Sequence, residues 1–155
     1  MASEIDKESL EDELEQILEE ARMVLPGLQA LFGFQLIAVF NERFDHALGP
    51  LGRDTHLCAA VLTACAIGLI MAPAAYLRQA ERGRVSRYFA NYASRLITVA
   101  MAPLALALSL EVALVAFIIL GSVPASSVIG TGLMLFLVWY WYVFPAYRRV
   151  QQRHP

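Results

Sequence analysis

Residues 96–120 read LITVAMAPLALALSLEVALVAFIIL, a run of 25 residues with a single charge, Glu111. A helix rises about 1.5 Å per residue and the hydrocarbon core of a bilayer is about 30 Å thick, so roughly 20 apolar residues cross it. This run is long enough. Working outward, Leu57–Leu77 is a second such stretch and carries no charge. Met23–Phe40 and about Val128–Phe144 are slightly shorter, equally uncharged, and extended by tolerable neighbours. In lipid every backbone polar group has to be satisfied internally, and stretches of this length suit helices rather than the ten-residue strands of a barrel. The expected fold is all-α: a four-transmembrane-helix bundle.

The bulk figures agree. Of 155 residues, 58% are apolar and only 17% charged, and the mean hydropathy is +0.54. Ordinary soluble domains carry about 25% charged residues. A disordered chain, a disulfide scaffold and a basic nucleic-acid module are all excluded. The formal net charge of −2 conceals a division. Residues 1–20 hold nine acids and one base, Lys7, whereas the rest holds five acids and eleven arginines.

The arginines set an orientation. The 78–87 connection carries Arg78, Arg82, Arg84 and Arg87, and the tail carries Arg148, Arg149 and Arg153. The 41–54 connection balances Arg43 and Arg53 with Glu42, Asp45 and Asp54, and the 121–127 connection has no charge. Arginine-rich short loops stay on the cytoplasmic side. The 78–87 loop and both termini are therefore expected in the cytoplasm, with the protein multi-pass in the inner (plasma) membrane. Every Tyr and both Trp fall near that same side, as an interfacial aromatic belt does; packing between helices is compatible with it. No cleavable signal peptide is expected, because the start is acidic and lacks an early apolar region.

The organisation expected is an acidic amphipathic cytosolic helix over 1–22, a membrane domain over 23–147 and a basic tail over 148–155. In the first segment Leu10, Leu14, Ile17, Leu18 and Ala21 recur at helical spacing on one stripe. Membrane-surface helices are usually basic, so this one suits an arginine-lined protein surface, its own or a partner's; loose docking through the leucines is the plainer reading. A second amphipathic segment, 84–96, leads into the third span.

Within the spans, Gln35, Thr63, Glu111 and Thr131 each come from a different helix, and counting rises places them in one depth band of the outer half. An intramembrane carboxylate is costly and marks a functional candidate. A carboxyl that holds or releases a proton is what proton-coupled transport or cation binding needs, with Gln35 and the threonines supplying oxygens around it. The alternative is one structural interhelical hydrogen bond, worth roughly 0.6–2 kcal/mol. Arg22, Pro26, Gln29 and Gly33 share one helical face, a candidate packing or pathway face. Gly130 and Gly132 offer close approach of a neighbouring helix. Each span has a proline, Pro26, Pro73, Pro103 and Pro145. Pro73 and Pro103 are deep enough to kink, while Pro26 and Pro145 fit helix ends.

Several chemistries lack their parts. Cys58 and Cys65 are seven apart on one helix and cannot bridge within it. His46, His56 and His154 have no i,i+4 His partner, so neither a metal site nor another cofactor is expected. His46 with Glu42 and Asp45 makes a small polar loop patch. No phosphate-cradling loop or nucleophile elbow occurs, and an enzyme is not expected.

The run EEARMVLPGLQALFGFQLIAVFNERF (19–44) resembles the opening signature of a family of small, uncharacterised bacterial four-helix membrane proteins. In that family an E-L-R-V-x-x-P-G-x-Q-x-L-F-x-F pattern precedes an R-F pair. APAAYLR (72–78) and ANYASRL (90–96) resemble later landmarks, and the similarity runs from about Glu13 to Arg149. It departs at Ala21, where Leu is usual, and at Leu77, where His is common. Members are sometimes labelled sodium/proton antiporter-like, and the resemblance implies no catalytic residues. Two functions follow as expectations. One is an oligomeric cation- or proton-translocating unit for Na+ or H+, centred on Glu111 with Gln29 and Gln35 along the route. The other is a non-conducting scaffold or regulatory subunit in the bilayer that contacts partners through its acidic helix.

Overall fold

The computed structural model describes residues 2–41, 48–79 and 86–151, with the backbone alone for 2–9 and 11. All regular structure in these residues is helical. α1 runs Ala2–Ala38, α2 Pro50–Gln79, α3 Arg87–Leu120 and α4 Val123–Val138. The last of these continues through a π-turn, Trp139–Val143, into α5, Phe144–Gln151. Four helical stretches are long and apolar enough to cross a membrane: Asp12–Ala38, Pro50–Gln79, Arg87–Leu120 and Val123–Gln151.

The boundaries differ from the sequence expectation in two instructive ways. No break separates the amphipathic segment from the first span. Residues 19–25 are Glu, Ala, Arg, Met, Val and Leu, mostly strong helix formers, and Pro26 lies inside the continuous helix. Pro145 does not end the fourth span either. The helix widens just before it, with Phe144 N–H bonded to Trp139 O. That i→i−5 bond is a π-turn, and the extra residue relieves the ladder where proline supplies no donor. The third span begins at Arg87 because Ser86 caps it: its backbone is extended (φ −109°, ψ 148°) and its Oγ accepts from Phe89 N–H at 3.2 Å. It ends at Gly121, whose φ of +62° is free of cost only for glycine and whose N–H reaches Phe117 O at 2.8 Å.

α2 and α3 form the centre: 33% of the most apolar window of each is buried, against 11% for α1 and α4. Their buried faces are small. Ala59, Ala66, Ala93, Ala100, Ala105 and Ala107 are wholly buried, which lets the backbones approach and gain dispersion contact without a hydrophobic drive. Large side chains point outward instead: Phe34, Phe40, Ile119 and Val128 are more than two-thirds exposed. Small residues inside and large apolar residues outside suit a body solvated by hydrocarbon, and with the four long helices they mark a multi-pass membrane protein.

Successive helices alternate in direction, as three packed levels show. At one end Gln35 of α1, His56 of α2 and Glu111 of α3 meet. In the middle Leu28, Ala66, Ile70, Ala100 and Leu104 form an apolar cluster. At the other end Leu14 is buried against Phe89 and Ala93, with Ile17, Leu18 and Tyr76 around it. The leucine stripe of 10–21 thus lies along the far ends of α2 and α3. Tyr76 stacks on Phe89 at 5.6 Å between ring centroids. Trp139 and Tyr140 face outward while Trp141 and Tyr142 are half-buried, so packing between helices takes up part of the aromatic group. Tyr88 is exposed and stacks on Tyr92 at 6.4 Å.

Candidate functional site: a buried Gln35, His56 and Glu111 cluster

Gln35 lies three residues from the end of α1, and His56 six residues into α2. Antiparallel helices joined at that end bring those positions to one level. Glu111 reaches the same level from α3. Gln35 Nε2 donates to Glu111 Oε1 at 2.9 Å. His56 Nδ1 stands 3.0 Å from the same Oε1, and His56 Nε2 lies 2.9 Å from the backbone carbonyl oxygen of Gln35. Gln35 and His56 are buried, and the Glu111 side chain is 19% exposed.

The partners decide where protons sit. A carbonyl oxygen only accepts, so His56 Nε2 carries hydrogen. Nδ1 then has two states. It is protonated and donates to a Glu111 carboxylate, or it is bare and accepts from a Glu111 carboxylic acid. Both states hold one proton between Nδ1 and Oε1, and both leave the pair with zero net charge. That is how two ionisable groups persist where unpaired charge is prohibitive. Glu111 Oε1 accepts from Gln35 in either state. The other amide atom, Gln35 Oε1, is buried and has no hydrogen-bond partner among the described residues. A buried orphan acceptor costs about 1–3 kcal/mol and calls for a donor such as water. A cleft of about 290 Å³, lined by Gln35, His56, Arg53, Asp54, Leu57 and Ala60, adjoins the cluster.

Two of the residues singled out from the sequence, Gln35 and Glu111, are brought together; the threonines are not. Thr63 is fully buried, but its Oγ1 donates to Ala59 O of its own helix at 3.0 Å. It lies about 10 Å along α2 from His56 by helical rise. Thr131 follows Gly130, which packs against Ser109 and Ala113 and so sits at the Glu111 level. Its own side chain is exposed on the outer face of α4. Arg22 and Gln29 are exposed along α1, and Gly33 is half-buried with open space where a Cβ would be. Arg78 and Arg87 are exposed at the far end, whereas Arg82, Arg84, Arg153, His154 and the patch of Glu42, Asp45 and His46 lie outside the described residues. Cys58 and Cys65 are free thiols on exposed positions. No group of three His, Cys, Asp or Glu side chains arranged for a metal ion occurs among the described residues.

His56 is the member that sequence reasoning missed. Its spacing to the other histidines carries no signal. The signal lay in depth: a histidine in the second turn of an apolar helix stands opposite a glutamine in the last turn of the preceding one.

A family model matches residues 3–145, and it describes a family of unknown function, DUF6328. No curated protein and no solved structure matches the chain.

Proposed function

The chain belongs to the DUF6328 family, which carries no assigned function; from the buried cluster we propose that it is a multi-pass inner-membrane protein that binds and passes a proton at Glu111 and His56. The carrying observation is the 3.0 Å contact between His56 Nδ1 and Glu111 Oε1, with Nε2 committed to a carbonyl. The arginine distribution supports an orientation with both termini in the cytoplasm and the cluster in the outer half. A proton arriving through the 290 Å³ cleft meets a pair that already shares one. Uptake of a second gives an imidazolium beside a carboxylic acid. Loss of the shared proton gives a bare Nδ1 facing a carboxylate. One acid, one imidazole and one amide suit H+ better than Na+, which takes a larger set of oxygens.

The apolar cluster of Ala66, Ile70, Ala100 and Leu104 closes the route toward the other end. Transfer across it requires helix movement or a path between copies, and the exposed Arg22 and Gln29 face of α1 is the surface for a second copy.

One observation favours a second reading. The cluster ties three helices together, as a structural pin does, and the exposed acids Asp12, Glu13, Glu15, Glu19 and Glu20 offer a contact for a basic partner. In that case the protein is a non-conducting scaffold or regulatory subunit. Reconstitution decides between them. Purified protein in vesicles with a trapped pH dye, under a proton or sodium gradient, is expected to conduct protons, and Glu111→Gln and His56→Phe each abolish the flux. Wild-type vesicles that retain oligomers and show no flux sink the transport reading.

A further inference from the structure

We infer that the aromatic end of the bundle binds one anionic glycerophospholipid, with its phosphate at Arg149 and an acyl chain in an adjoining apolar groove. Two clefts meet there and share Met101 and Trp141 as a common wall. The first, of about 370 Å³, is bounded by Thr98, Tyr142, Ala146 and Arg149. The second, of about 420 Å³, is bounded by Val24 of α1, Ile70 of α2, and Ile97 and Leu104 of α3. A headgroup-sized space beside a cationic side chain, with a groove of largely hydrocarbon walls just across Met101 and Trp141, has the two-part chemistry of a phospholipid. Free phosphate gains nothing from the second arm. The walls come from three helices and the π-turn, so the groove is concave, unlike the outward faces that carry ordinary solvating lipid.

The charges agree. α5 contains Arg148 and Arg149 and no acid. The Arg148 guanidinium lies 5.8 Å over the Phe144 ring, and Arg149 is the one that lines the cleft. A guanidinium fork matches a phosphodiester. Glu20 lines the apolar arm and not the polar one, so Arg149 is the only cationic side chain lining either arm. The Tyr142 hydroxyl is already committed to Thr98 O at 2.8 Å, which fixes one side of the polar cleft. This site rests on the membrane orientation above and is independent of proton transfer, so failure of either leaves the other standing.

Trp141, on the shared wall, reports occupancy directly. The chain has two tryptophans, and Trp139→Phe leaves Trp141 alone. This variant, in phosphatidylcholine vesicles, receives a minor fraction of phosphatidylglycerol or phosphatidylcholine with brominated acyl chains, which quench indole fluorescence on contact. The expected result is several-fold stronger quenching by the brominated phosphatidylglycerol. That preference is lost on adding Arg149→Gln and kept on adding Arg148→Gln. Both arginines are exposed near the chain end, and helical content by circular dichroism checks that each variant folds. Equal quenching by the two lipids, or a preference that survives Arg149→Gln, overturns the proposal. Loss of the preference on adding soluble glycerol phosphate identifies a free-phosphate site and overturns it too.

Discussion

Gly130 sits so close to Ser109 that a Cβ built on it would stand 3.0 Å from the Ser109 carbonyl oxygen and 2.7 Å from the Cβ of Ala113. Neither atom belongs to a flexible side chain, so α3 and α4 have to move apart to admit a methyl group. Gly130→Ala is expected to cost about 1–3 kcal/mol, the usual penalty for overpacking. Gly132, two residues on, has nothing within 4 Å of the same position. Gly132→Ala is expected to leave stability unchanged or raise it by up to about 1 kcal/mol through helix propensity. Thermal unfolding of both variants in detergent checks the contrast.

Removing Glu111 strands two partners at once. Glu111→Ala leaves Gln35 Nε2 and His56 Nδ1 facing a void, at about 1–3 kcal/mol for each unsatisfied group. Glu111→Gln keeps an acceptor for Gln35 and a similar shape, so it should cost less than half as much. A double-mutant cycle of His56→Ala and Glu111→Ala is expected to give a coupling of roughly 0.6–2 kcal/mol. A coupling near zero, measured by unfolding in detergent, would show the contact to be energetically idle.

The threonines predict silence. Thr63 bonds within its own helix and Thr131 faces outward. Thr63→Val and Thr131→Val should each change stability by less than about 1 kcal/mol and leave proton flux in reconstituted vesicles at the wild-type rate. A flux defect in either would extend the site beyond Gln35, His56 and Glu111.

The last helix hangs on one long-range hydroxyl. Tyr142 Oη donates to Thr98 O at 2.8 Å, alongside packing of Trp141 on the central cluster. Tyr142→Phe should lower stability by about 0.5–1.5 kcal/mol. Limited proteolysis should then cut the 144–151 region faster, with the rest of the chain unaffected.

How much of this was legible depended on what each feature needs. The spans were, because twenty apolar residues in a row have few other uses. Their junctions were less so. A change from acidic to apolar composition at Arg22 reads as a boundary, yet composition does not break a helix whose residues all favour one. Glu111 was legible as a lone charge, and Gln35 as its neighbour in depth. Which face of a helix a residue occupies was not, and azimuth separates Thr131 from the site while level does not. His56 was hidden because its role comes from the carbonyl of one neighbouring helix and the carboxyl of another, contacts that no local spacing encodes. The same holds for Gly130 and Gly132, alike in sequence and opposite in consequence.

The unbroken α1 has a mechanical meaning. Its 37 residues make a rod about 55 Å long at 1.5 Å per residue, with acidic residues at one end and Gln35 near the other. It is gripped at Leu14, at Leu28 and at the cluster, and it is less embedded than the two central helices. A rod so held joins the two ends of the bundle: the helix that carries the acidic residues also carries, near its far end, the amide that hydrogen-bonds Glu111.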